Sequence, residues 1–74
     1  MNTIGKRLRE AREKKGISQR KFAKIINTSQ VVWNGYETGR CRYQRPDLYL
    51  IIRACKELNI SMDWLFLGDE AFMN

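Results

Sequence analysis

A chain of 74 residues has room for one small domain and no deep substrate cavity. It carries 14 Lys and Arg against 8 Asp and Glu, with 12 basic and 3 acidic side chains in residues 1–45 and 2 and 5 in residues 46–74. A basic part joined to a mildly acidic part points to a polyanionic partner for the first part. There is no His, and the two cysteines, Cys41 and Cys55, cannot complete a four-ligand zinc site or a disulfide framework, so no metal and no cofactor are expected. Free cysteines suit a reducing cytosol. The longest apolar run, residues 48–52, is far too short to span a membrane, and no signal-peptide pattern opens the chain. The expectation is a soluble cytoplasmic protein.

Along the chain, Ile4, Leu8 and Ala11 recur at helical spacing with Lys and Arg between them, and Gly16 closes this first helix in a left-handed conformation. Ser18 is placed to cap a second helix, with Ile17 before it packing on Phe22 as a hydrophobic staple. Phe22, Ala23 and Ile26 form its inner stripe, and Asn27 ends it, because Asn tolerates a left-handed backbone. Ser29 caps a third helix that Gly39 closes, and residues 40–45 form a loop. Pro46 starts a fourth helix with Leu48, Ile51, Ile52, Cys55 and Leu58 inward, ending at Asn59. Ser61 caps a short fifth helix carrying Trp64 and Leu65. No segment alternates with a period of two, so the fold class is all-α, a five-helix bundle. The domain takes in residues 1–67, and 68–74 form a C-terminal tail.

The third helix is the informative one. On a helical wheel Val32, Trp33 and Tyr36 fall together, while Gln30, Val31, Asn34 and Gly35 occupy the opposite arc. The first group anchors the helix in the core. The second is short, neutral and capable of hydrogen bonding, where an idle surface helix would carry Glu and Lys. Gly35 inside a helix costs about 1 kcal/mol against Ala, and its use is to let another surface approach the backbone. The major groove of double-stranded DNA admits such a helix, with Gln pairing to adenine and Val meeting a thymine methyl. Arg40, Arg42 and Arg45 flank the helix and are placed to reach phosphates. The single inward stripe of Phe22, Trp33 and Tyr36 reads as core rather than as a stacking platform for single strands. Cys41 sits among arginines, which lower a thiol's pKa, whereas Cys55 reads as a small core residue.

The stretch GISQRKFAKIINTSQVVWNGYETG, followed by PDLYLIIRACKELNISMDWLF, resembles the phage repressor/Cro-like helix-turn-helix family over residues 4–67. The resemblance implies a lambda-repressor-like bundle whose second and third helices form the motif, with the third in the major groove. By the same resemblance Gln30, Val31, Asn34 and Gly35 contact bases. Gln19, Arg20, Arg40, Arg42 and Arg45 contact phosphates, with Gln19 also bracing Gln30. Arg12 and Glu37 form an ion pair tying the first helix to the third. Three positions depart from the pattern. Asn27 replaces the usual Gly, Gly35 lacks a side chain many members use on bases, and the loop before Pro46 is longer.

The implied function is a sequence-specific transcriptional regulator that binds a palindromic double-stranded DNA operator as a homodimer. Alternatives are an antitoxin or a restriction–modification controller built on the same module, or a protein-interaction module. An enzyme is not expected, because no phosphate-cradling loop and no nucleophile with a neighbouring base occurs. For the dimer, Tyr49 and Leu50 lie off the inward stripe of the fourth helix, and Trp64, Phe66 and Phe72 crowd the last helix and tail. These place the interface on the fourth and fifth helices around Tyr49, Trp64 and Phe66.

Overall fold

Three serines begin three of the helices in the same way. Ser18, Ser29 and Ser61 each hold an extended backbone, and each hydroxyl accepts a hydrogen bond from the backbone N–H three residues on. The partners are Lys21, Val32 and Trp64, at 3.1, 3.2 and 3.0 Å. Each cap satisfies one of the donors that a helix start leaves unpaired, a contribution of about 1 kcal/mol. In the computed structural model, which describes residues 3–39 and 47–68, the helices are α1 (Thr3–Lys14), α2 (Gln19–Ile25), α3 (Gln30–Thr38), α4 (Leu48–Leu58) and α5 (Met62–Leu67). Among the described residues there is no strand, and no helix is long and apolar enough to cross a membrane.

Helix ends repeat as regularly as helix starts. Gly16, Asn27 and Asn59 have φ of 68°, 62° and 56°. The residue after each donates to a carbonyl five positions back: Ile17 to Arg12, Thr28 to Ala23 and Ile60 to Cys55. This is the Schellman closure, which satisfies the last carbonyls and turns an apolar residue back onto the core. Ile17 and Ile60 are indeed packed against it.

The fourth helix departs from the sequence expectation twice. Its N-cap is Asp47, whose Oδ1 accepts from the N–H groups of Tyr49 and Leu50, so the helix begins at Leu48. Pro46, expected to begin it, lies outside the described residues. The inward stripe is also rotated. Leu50, Ile51, Ala54, Cys55 and Leu58 are buried, whereas Leu48 and Ile52 are 59% and 43% exposed. Ala54 is fully buried within this stripe, a signal lost when only large apolar residues are counted. Leu50, expected outside the stripe, is core.

Helices α1 and α2 pack on α3, and α1 packs on α5. Trp33, Phe22, Leu8, Ile26 and Leu65 are the largest fully buried side chains. The Trp33 ring lies 4.9 Å from Phe22 and 6.1 Å from Tyr36, centroid to centroid, so α3 supplies the centre of the core. Its far end is fixed by the Tyr36 hydroxyl, which accepts from the Asp47 N–H at 2.8 Å. Arg7 clamps the other side of the molecule: its Nη1 donates to the Leu65 carbonyl at 2.8 Å. Its guanidinium covers the buried Gly68, where φ of 66° favours glycine. Gly68, expected in the tail, is thus the buried end of α5.

Helices α1 and α3 approach each other closely at Gly5. A Cβ built there would stand 2.5 Å from the Tyr36 carbonyl oxygen and 2.8 Å from the Glu37 carbonyl carbon. Backbone atoms cannot swing aside, so α1 and α3 would have to separate. Gly5→Ala is expected to destabilise the fold by about 1–3 kcal/mol despite the better helix propensity of Ala. Thermal unfolding checks this, and a variant melting at or above the parent temperature would contradict it.

Candidate nucleic-acid interface

The two sides of α3 differ as its wheel requires. Trp33, Tyr36 and Glu37 are buried, and Val32 is half-buried against the core. Gln30 is exposed, Val31 is 82% exposed, and Asn34 and Gly35 are half-exposed. The four residues expected to meet bases therefore lie along the accessible side, which carries no charged side chain among them.

Beneath that side lies a buried charge. The Glu37 carboxylate receives four donors. Arg12 Nε reaches Oε2 at 2.6 Å and Arg12 Nη2 reaches Oε1 at 3.2 Å. Gln19 Nε2 donates to Oε1 at 2.9 Å, and the Trp33 indole N–H donates to Oε2. The two side chains of the ion pair are 9% and 1% exposed. Arg12 spends its remaining arm on the Ile17 carbonyl at 2.6 Å, which fixes the turn between α1 and α2. No side-chain polar atom buried among the described residues lacks a partner.

Gln19 differs from the expected brace. Its Nε2 donates to Asn34 Oδ1 at 3.0 Å as well as to Glu37, so it ties α2 to Asn34 and not to Gln30. Both side-chain N–H groups are thereby spent. Arg20 is exposed in the first turn of α2, and Lys21 and Lys24 are exposed on the same helix. Arg40, Arg42 and Arg45 lie outside the described residues, as do Cys41 and Phe72.

On α4, Tyr49 is 71% exposed, with the Arg53 guanidinium 5.9 Å above its ring. With Leu48 and Ile52 it forms an apolar arc on the outer side of the helix. Phe66 and Leu67 are 42% and 54% exposed on α5. Trp64 is half-buried against the core and lines a hollow with Ala11, Leu58 and Ile60, so it closes the bundle as much as it offers a surface. Cys55 is buried near Met62, and burial pushes its thiol pKa up.

Sequence reading missed three of these roles. Trp33 as a donor to Glu37 was available from their spacing of four on one helix. Neither Gln19's choice of Asn34 nor the contact at Gly5 leaves a periodic signal, because both depend on how helices cross.

A Ser-capped short helix turning through a left-handed residue into a second, core-anchored helix defines a helix-turn-helix protein. Residues 8–65 match the model of the family described as Helix-turn-helix, and the chain belongs to this family, in its Cro/C1-type, phage repressor-like branch. It is similar to the HTH-type transcriptional regulator ImmR of Bacillus subtilis (strain 168), 34% identical over 68 residues, covering 92% of this chain and 51% of that protein. It is also similar to the SPbeta prophage-derived uncharacterized HTH-type transcriptional regulator YonR of the same organism. There the identity is 31% over 68 residues, covering 92% of this chain and 60% of the relative. The chain thus spans about half to three-fifths of the length of these relatives. No solved structure matches it.

Breaking a buried ion pair from one side costs about 3–5 kcal/mol, because the remaining charge is left uncompensated. Glu37→Gln is therefore expected to lower the melting temperature by more than about 10 °C, at roughly 4–8 °C per kcal/mol for a domain of this size. Differential scanning calorimetry checks it; a melt within error of the parent would show that the pair contributes nothing.

Proposed function

We propose that this protein is a sequence-specific, double-stranded DNA-binding transcriptional regulator that places α3 in the major groove. The observation that carries the reading is the bare side of α3. Gln30, Val31, Asn34 and Gly35 are accessible and uncharged, while the opposite side is locked into the core through Trp33, Tyr36 and Glu37. Such a helix can enter a groove about 12 Å wide and offer amide and methyl groups to base edges. The basic first part of the chain supports the phosphate contacts, with Arg20 in the first turn of α2 and Arg40, Arg42 and Arg45 following α3 in the sequence. Both relatives are named as transcriptional regulators, which agrees with this reading.

A single unit of this size covers one half-site, so the operator is a palindrome read by a homodimer with its halves about one helical turn apart. The apolar arc of Leu48, Tyr49 and Ile52 on α4, with Phe66 and Leu67 on α5, supports an interface there. The acidic balance of that end keeps it away from phosphates.

Selection of bound fragments from random duplex DNA tests the reading, with enrichment of an inverted repeat expected. On the selected site Gln30→Ala is expected to lose about 1–3 kcal/mol and relax preference at one or two positions. Equal weakening on all sequences would remove Gln30 from the base contacts. For the dimer, sedimentation at micromolar concentration should show two chains for the parent and one for Tyr49→Lys. A Tyr49→Lys protein that associates unchanged would place the contact elsewhere.

A further inference from the structure

The Glu37 carboxylate, paired with Arg12, can only accept hydrogen bonds. Gln19 must therefore turn its NH2 group toward it, as the 2.9 Å contact from Nε2 to Oε1 shows. The second hydrogen on that nitrogen goes to Asn34, 3.0 Å away. A donor there demands an oxygen, so Asn34 turns Oδ1 toward Gln19. Reversing Gln19 would set a carbonyl against a carboxylate, and reversing Asn34 would set two NH2 groups against each other. A buried charge thus dictates the orientation of two amides in sequence. The first is half-buried on α2, and the second stands half-exposed on the bare side of α3. Asn34 Nδ2 has no hydrogen-bond partner among the described residues.

An unrestrained asparagine can present a donor and an acceptor side by side, which is how it reads adenine through N7 and N6. Asn34 has already given one of the two acceptor sites of its Oδ1 to Gln19 and keeps a whole NH2 group, so what it offers outward is weighted toward donation. The arrangement matches a base edge made of acceptors. Guanine offers N7 and O6, whereas cytosine offers only its N4 amine. We propose that Gln19 is a positioning residue that makes Asn34 a hydrogen-bond donor, and that Asn34 selects guanine at one position of each half-site and rejects cytosine there. The inference rests on the reading of α3 as the groove-entering helix.

Selection from random duplexes with the parent, Asn34→Asp and Gln19→Met tests it, each protein first shown to be folded by circular dichroism. The parent should enrich guanine at one half-site position. Asn34→Asp still accepts from Gln19 but offers only acceptors outward, so that position should move from guanine to cytosine by at least about fivefold, while its neighbours keep their preferences. Gln19→Met is similar in length and has no amide; it frees Asn34, and the same position should lose at least about fivefold of its guanine preference, with adenine now admitted. A merely structural role for Gln19 would weaken all sequences together without changing the profile at one position. If Gln19→Met does not fold, the Asn34→Asp result decides. A parent that selects a sequence while both variants keep its profile unchanged would overturn the relay but leave the DNA-binding reading standing. A parent that enriches no sequence would overturn that reading and the relay with it.

Discussion

The Glu37 carboxylate is the point on which three helices depend. Removing a carboxylate and a guanidinium from water costs several kcal/mol per ion, and their attraction repays this only with good geometry and every lone pair occupied. Here each oxygen takes two donors, from Arg12 on α1, Gln19 on α2 and Trp33 on α3 itself. The same Arg12 holds the Ile17 carbonyl, so the turn entering α2 is set by the group that sets α3. A well-packed apolar trio could match this in stability. It could not direct amides. What the charge adds is a defined polarity, passed outward from a buried site to the accessible side of α3.

Much of this was legible because it is local. Ser18, Ser29 and Ser61 announce helix starts, and Gly16, Asn27 and Asn59 announce ends, through hydrogen bonds made within a few residues. The division of α3 follows from its period, since Trp33 and Tyr36 cannot leave the core without exposing large apolar surface. The Arg12–Glu37 pair came from family resemblance and not from any local rule. Errors arose where a helix meets its neighbours. The large side chains at Leu48 and Ile52 suggest one inward stripe for α4, whereas the buried one runs through Leu50 and the small Ala54. The cap of α4 is Asp47, whose side chain accepts from two N–H groups, a role that the neighbouring proline masks in the sequence. Gly5 carries no punctuation signal, because its role is set by the carbonyls of a helix thirty residues away in the chain.

The core is built from few large side chains, and α3 supplies the largest of them, so the helix proposed to meet DNA is also the one anchored at the centre of the core. Rigid presentation favours discrimination, because a side chain that cannot reorient cannot adapt to the wrong base edge. Helices α4 and α5 expose the apolar side chains of Leu48, Tyr49, Ile52, Phe66 and Leu67. An interface there would set the separation of two reading helices without touching either one.

The central claim is that the bare side of α3 meets DNA while the Glu37 cluster beneath it stays intact. Nuclear magnetic resonance of the 15N-labelled protein, titrated with its selected duplex, tests this most directly. The account predicts that the backbone amides of residues 30–35 and the side-chain NH2 groups of Gln30 and Asn34 shift, while the Trp33 indole N–H keeps its resonance and its protection from exchange. Shifts confined to α4 and α5, or loss of the Trp33 indole signal on binding, would contradict it.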